Sequence, residues 1–291
     1  MADFGPTQLN AVTAELWDEK VEVARYANGV ILNAVSNKSE IAKQKGDKIN
    51  VSIDKKLQVV TVGSDGTFTP QNYILDSVQI NLDQWESIPI SILDQSAAQA
   101  FWTPASTYPT MAGKAWADRF DSQLASEHSN LTQNIVGVPA SPDPANSGQA
   151  REALFKLADR NVPTDDGSCT FIFHPVSYWG GIMTEAQLTS ANQGGSEKNL
   201  LKKQEVIPLL GISVKLSTNI KEVGSPAVKK NLLLHKSALA IAWSKTNSYE
   251  KVRQTANLVL ADLLVTQNVY GWKTVRADHG VVINSSAAGA F

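Results

Sequence analysis

The sequence predicts an α+β fold in which strands and helices occupy separate blocks. Three observations predict it. Apolar residues alternate strictly at Ile49, Val51 and Ile53, at Val78, Ile80 and Leu82, and at Ile88, Ile90 and Ile92, the period of half-buried strands. Ala112, Trp116, Phe120 and Leu124 step by four, the stripe of a long amphipathic helix. The second half mixes short apolar runs with helical patterns and ends in strand-like segments. With 291 residues, the chain is long enough for one elaborated domain or two.

The elements follow in order. Residues 11–35 fit a helix whose face carries Val12, Leu16, Val23, Ala27 and Val30, with Asn28-Gly29 as an interruption. Its apolar anchors are few, which suits a segment lying against a neighbour. After a turn at Gly46-Asp47 comes the first strand, and Leu57, Val59 and Thr61 extend the alternation. GSDG at Gly63 to Gly66 marks the tip of a long hairpin. Val78 to Leu82 returns, and Ile88 to Ile92 adds a third strand. A long hairpin buries little by itself and needs another surface.

Asp94 is a good N-cap for a helical turn that Pro104 ends. Pro109 suits the first turn of the long helix. Ala115 flanks its apolar stripe, Lys114, Asp118, Asp121 and Gln123 form the polar side, and the helix ends near His128. Val136 to Gly148 reads as a loop. Ala150 to Asp159 is helical, Cys169 to Phe173 a buried strand, and Val176 to Ala186 helical. Gln193 to Ser196 is a loop, and Val206 to Leu216 is extended around Gly211. Leu232 to Leu234 is a strand, and Ser237 to Trp243 a short helix or strand. The last fifty residues favour strands, with a turn near Tyr270-Gly271, a terminal strand at Gly280 to Ile283, and a frayed tail SSAAGAF.

Composition limits function. The chain is 43% hydrophobic and 19% charged with a formal net charge of −2, which reads as globular and gives no global signal for nucleic-acid binding. The charge is uneven. Leu57 to Glu127 holds eight acids and two bases, whereas Lys198 to Arg253 holds eleven bases and three acids. Ordinary solvated faces explain such a split; the sharper reading has these regions meeting between subunits. The single cysteine, Cys169, forbids an internal disulfide. The N-terminus lacks the basic and apolar regions of a signal peptide. No apolar run approaches the roughly 20 residues that span a bilayer. Folding in the cytosol where the chain is made is expected.

Catalytic motifs fail one by one. There is no GxSxG elbow. Cys169 begins an apolar strand and reads as a buried, inert thiol. His128, His174, His235 and His279 stand isolated in sequence, with no metal-ligand spacing. Asp165-Asp166 is too short a cluster for an EF-hand. Gly180-Gly181 and Gly194-Gly195 lack the context of a phosphate loop and read as flexible loops. Lys202-Lys203 and Lys229-Lys230 read as solvated lysines. Trp85, Trp102 and Trp116 suit core or interface packing. No catalytic, cofactor-binding or metal-binding residue is nominated, no cofactor is expected, and the chain is read as structural, not as an enzyme.

The order of the elements supplies a positive reading. ELWDEKV from Glu15, KGDKINVSI from Lys45, Val78 to Ala100, and WADRFDSQLA from Trp116 resemble, in turn, the N-terminal arm, extended loop, return strand and spine helix of tailed-bacteriophage major capsid proteins. Val206 to Ile220, Asn231 to Trp243 and Asn268 to Ile283 resemble that family's later strands. The matches span nearly the whole chain, each weak alone and informative as an ordered set.

The resemblance implies the Hong Kong 97-like capsid fold, an α+β fold with an N-arm (1–45), an extended loop (46–93), a peripheral domain with the spine helix (94–145), an axial domain (146–243) and a return to the peripheral domain (244–291). It implies self-assembly into hexamers and pentamers of an icosahedral head around double-stranded DNA, contacted non-specifically. Implied partners are a separate scaffolding protein, a portal protein and a possible decoration protein, with no membrane. The expected location is the virion capsid, assembled in the host cytoplasm. No residue pair stands out for a covalent crosslink. The alternatives are an encapsulin-like nanocompartment shell and, from a different class, a monomeric α/β enzyme with a dispersed site.

Overall fold

A computed structural model describes residues 20–25, 28–42, 48–53, 59–62, 64, 66–69, 76–93, 104–139, 143–184, 206, 208–253 and 261–286. In chain order the elements are a helical stretch over 20–25, β1 (Ser36–Asn37), α1 (Ser39–Ala42), β2 (Lys48–Ile53), β3 (Asp76–Asn81), β4 (Gln84–Leu93) and the long helix α2 (Pro104–Ser126). They continue with β5 (Ile135–Val136), α3 (Ser147–Asp159), β6 (Cys169–Phe173), α4 (Pro175–Trp179), β7 (Ser213–Leu216), β8 (Glu222–Val223) and β9 (Val228–His235). The chain closes with β10 (Leu239–Arg253), β11 (Ala261–Thr274) and β12 (Gly280–Ser286).

Among the described residues the strands form three sheets. One runs β1-β10-β11-β4, another β5-β12-β9-β6-β7 with β8 beside β9, and the third is the β2-β3 hairpin base. β6 is a near-continuous apolar run, as are Leu232 to Leu234 of β9 and Val281 to Ile283 of β12, because their sheet is covered on both faces. Ile172, Leu232, Leu234 and Val282 point towards α2, and Phe171, Phe173, Leu233, Val281 and Ile283 towards α3 and α4. The stripe Ala112, Trp116, Phe120 and Leu124 is buried as its spacing predicts. It packs on Ile241, Trp243 and Tyr270 as well, so α2 joins the two large sheets. Phe120 meets Tyr270 edge-on at 4.7 Å between ring centroids.

The hairpin base is supported within the chain. Ile49, Val51, Ile80 and Leu82 pack on Ala240 and Ala242 of β10. β2 and β3 pair antiparallel as expected, but the third strand does not join them. β4 pairs with β11 over Gln84 to Leu93, because its alternation presents Ile88 to the α2 core. Val59 and Thr61 lie outside any strand, and Val59, Val62 and Phe68 are exposed. The expected continuation at Leu57, the helical turn from Asp94, Trp102, the loop at 193–196 and the lysines at 202 and 203 lie outside the described residues.

Several local expectations are corrected. In the N-terminal helix, Val21, Ala24 and Arg25 are buried while Val23 is exposed. The buried face is set by α2, where Ala24 and the Val21 carbonyl come so close to Gly113 that a Cβ there would lie 2.5 and 2.6 Å from them. This segment therefore rests on its own chain; Val12, Leu16 and Ala27 lie outside the described residues. Pro104 begins α2 instead of ending a turn, and Pro109 sits inside it, where the missing N–H leaves one helical carbonyl without its donor. Ala115 is exposed and Ala117 is buried in its place.

Tyr270-Gly271 is not a turn. Gly271 pairs with Ala242 in mid-strand, and a Cβ there would fall 1.8 Å from the Asn81 carbonyl oxygen. The glycine marks a close backbone approach, the other common meaning of Gly in a strand. The tail's first residues, Ser285 and Ser286, belong to β12, and Ser285 is buried. Ser237 to Trp243 resolves into a turn and the start of β10.

Asp121, expected on the polar side of α2, is buried. Its carboxylate accepts backbone N–H bonds from Val30 at 2.8 Å, Ile31 at 3.0 Å and Leu32 at 2.9 Å. These groups open the 3-10 turn Leu32–Ala34, whose own N-cap residue Ile31 supplies no side-chain cap. Helix starts leave N–H groups unpaired, and here a carboxylate 89 to 91 residues away satisfies them. Burial pushes the Asp121 carboxyl above its usual range, and the three N–H bonds pull it back down.

Candidate functional site

The polar cluster with the richest chemistry lies at the turn between β9 and β10. His235 ends β9, and Ala238 N donates to the His235 carbonyl at 2.8 Å to close the turn. His279 ends the 3-10 turn Ala277–His279 that leads into β12. β12 runs antiparallel to β9 with Gly280 opposite Leu234, so the residues just beyond that pair, His279 and His235, must face each other. Their rings lie 5.4 Å apart in an edge-on arrangement. The histidines expected to be isolated are thus a pair, joined by a strand register that no local spacing reveals.

Ser237 bridges them. Its Oγ is 2.7 Å from His235 Nδ1 and 2.6 Å from His279 Nδ1. Ser237 N also donates to His235 Nδ1 at 3.3 Å. His235 Nδ1 is therefore the acceptor, and its Nε2–H faces Asp166 Oδ2 at 3.3 Å. The hydroxyl then donates to His235 and accepts from His279 Nδ1–H, an assignment that follows from satisfying every group. Burial pushes His279 below its usual value; Asp278 pulls it up, while Arg276 and His235 push it further down. The Asp166 carboxylate is held below its usual value, chiefly by the Ser168 backbone N–H.

The order Asp166, His235, Ser237 has the polarity of a nucleophile-activating relay. Its geometry is that of a turn. His235 and Ser237 are two residues apart, the same imidazole nitrogen takes the Ser237 backbone N–H, and the hydroxyl's accepting side is occupied by His279. A nucleophile needs that lone pair free for the substrate. The cluster ties a turn to the start of β12.

The remaining residues weighed in the sequence fall apart from one another. Cys169 is buried, its Sγ is 3.6 Å from the Pro163 carbonyl, and burial pushes its thiol up to about 11, so it is an inert thiol. His174 caps α4 by accepting the Val176 N–H at 3.2 Å. His128 Nδ1 lies 3.0 Å from the Ala125 carbonyl at the end of α2. Asp165 and Asp166 precede Gly167 in a turn. Gly180-Gly181 closes α4, where Gly181 approaches the Ala145 carbonyl. Among the described residues no three His, Cys, Asp or Glu side chains are grouped to hold a metal ion.

Lys229 is paired with Glu222 and Lys230 Nζ donates to Asn284 Oδ1 at 2.9 Å, so neither is simply solvated. A second network joins β4, α2 and β11. The Arg119 guanidinium donates to both Glu86 oxygens, its Nε at 3.1 and 3.0 Å, and Tyr270 Oη donates to Glu86 at 2.7 Å. The Arg119 bond holds the Glu86 carboxyl below its usual range. Beside it Trp85 is 75% exposed, with its indole N–H on Gln267, so it is surface and not core, unlike the buried Trp116. No described helix is long and apolar enough to cross a membrane.

Among the described residues, those between β2 and β3 leave apolar side chains uncovered. Val59, Val62 and Phe68 are 102%, 57% and 66% exposed, although valine and phenylalanine ordinarily bury.

No family model matches the sequence, and no curated protein matches it. Solved structures do. A chain from Mycobacterium phage Che8 superposes with a TM-score of 0.68 at 22% identity, covering 88% of this chain and 90% of that one. A chain of the capsid of cyanophage P-SCSP1u gives 0.70 at 14%, covering 89% and 88%. The virus-like particle of Pyrococcus furiosus gives 0.55 at 12%, covering 92% and 98%. Nearly full-length superposition in both directions, on a chain with the hairpin, long helix and α/β sheet in this order, gives it the Hong Kong 97-like capsid fold.

Proposed function

We propose that this chain is the major capsid subunit of a tailed bacteriophage, a structural protein that assembles with copies of itself into an icosahedral shell. The observation that carries this reading is the near full-length match to capsid chains. A physical argument supports it. An excursion exposing Val59, Val62 and Phe68 costs solubility unless another surface covers it, about 25 cal/mol for each Å² of apolar area. A second copy supplies that cover at every position of a symmetric shell, and repeated modest contacts add up.

The finer reading divides the chain into N-arm (1–45), extended loop (46–93), peripheral domain (94–145), axial domain (146–243) and return (244–291), with β10 carrying the chain across the 243/244 border. It has hexamers and pentamers closing a head around double-stranded DNA, a separate scaffolding protein and a portal, possible decoration, and assembly in the host cytoplasm before residence in the virion. The acidic 57–127 region of one subunit meets the basic 198–253 region of the next. Single exposed pairs contribute only about 0–1 kcal/mol, so such contacts set register.

Electron microscopy of the purified chain tests the proposal. Closed spherical particles are expected; a species at the 31.4 kDa chain mass as the main state under physiological conditions would sink it. The Pyrococcus furiosus match, with 98% of that chain covered, supports a second reading as a nanocompartment shell. Particles that co-purify with a protein cargo and never with DNA or scaffold would favour it.

A further inference from the structure

The histidine pair opens onto a cleft of about 510 Å³ where all three sheets meet. Lys38 follows β1, Ser52 belongs to β2, Lys236 sits in the β9–β10 turn, and Arg276 follows β11. Ser168 and Ser237 also line it. Three fixed cations from three separate parts of the chain thus share one concave, hydroxyl-lined space. Among the described residues none of the three has an ion-pair partner. The two nearest acids stand behind the histidines and outside the cleft's lining: Asp166 on His235 Nε2, and Asp278 3.9 Å from His279 Nε2. The lining itself carries three cations and no acid; like charges gathered this way repel, and an anion relieves them.

We propose that this cleft binds a phosphate group. Arg276 offers the forked donors that match phosphate oxygens, Lys38 and Lys236 offer point charges, and the Ser52 hydroxyl donates to a further oxygen. The bridged histidines hold the back wall: Ser237 is pinned from both sides, so the turn that carries Lys236 is fixed before the ligand arrives. Two sources present this chemistry, free inorganic phosphate and the phosphodiester backbone of DNA. The proposal does not depend on the shell reading, since it concerns one subunit's own cleft.

The test uses the full chain and the variants Lys236→Ala with Arg276→Ala, and Lys156→Ala as a control. Lys156 lies on α3 and pairs with Glu152 away from the cleft. Equilibrium dialysis reads radiolabelled inorganic phosphate, and fluorescence anisotropy reads a short DNA duplex, both at fixed ionic strength. Saturable phosphate binding that weakens about tenfold or more in the double variant and is unchanged in the control supports the site. Circular dichroism and a cooperative thermal melt verify that the double variant folds. If the duplex shows the same loss, the source is the DNA backbone; if only inorganic phosphate does, the source is the free ion. A lack of saturable binding in both arms overturns the proposal, as does binding equal in all three proteins. Should the double variant fail to fold, Lys38→Ala and Ser52→Ala take its place under the same criteria.

Discussion

Asp121 shows what a helix-period pattern cannot tell. On a helical wheel it follows Phe120 by about 100° and reads as polar surface, because aspartate is almost never fully buried unless paired. Its partners are backbone N–H groups of Val30, Ile31 and Leu32, which carry no residue signature. Asp121→Ala should destabilise the chain by about 2–4 kcal/mol, since buried donors left without an acceptor cost about 1–3 kcal/mol each and water recovers part of that. Asp121→Asn, which keeps one acceptor oxygen, should lose clearly less. Urea unfolding of both checks the order; an asparagine loss as large as the alanine loss would show that one remaining acceptor oxygen holds none of the three N–H groups. The Cys169 thiol is the opposite case: its place at the start of CTFIF already announced burial.

At the scale of elements, alternation and the four-residue stripe located β2, β3, β4 and α2, and the apolar run located β6. Partnership was not legible. β4 reads like the third strand of a hairpin block yet pairs with β11, about 180 residues later, because register is set by which face finds a core. Gly271 records such a partnership in one residue. Gly271→Ala should force the Asn81 carbonyl away and loosen the hairpin base from β10, at about 1–3 kcal/mol for overpacking. Hydrogen exchange should rise in residues 48–53 and 76–81 and stay unchanged in β6. Uniform protection would overturn this account of the glycine.

For the whole molecule, the ordered set of segments pointed to the architecture, whereas the His235–Ser237–His279 bridge became visible only with the β9–β12 register. That bridge gives the subunit a pH response. Because burial depresses His279, the unfolded chain takes up the proton first as pH falls. Stability from this group is complete above about 6.5, the ordinary histidine value, and is lost as pH drops through the depressed folded value. The groups facing it are His235, Asp278, Arg276 and the Ser237 hydroxyl, with Asp166 behind His235; Lys38 and Lys236 share the cleft and add to the cost of a second positive charge. Thermal melts from pH 7.5 to 5.5 should show a falling midpoint that His279→Gln flattens. A slope unchanged in that variant would place the response elsewhere.

The carboxylate of Asp121 also decides how the subunit bears load. A pull on the N-terminal segment reaches α2 at two places, where Val21 and Ala24 pack on Gly113 and where the three bonds of residues 30–32 meet Asp121, before it reaches β1 and the sheets. Tension is thereby delivered to the stiffest rod in the chain, the second place five residues from its end at Ser126. A subunit tugged by its leading segment would tend to turn as one piece about that rod, with its sheets kept in register.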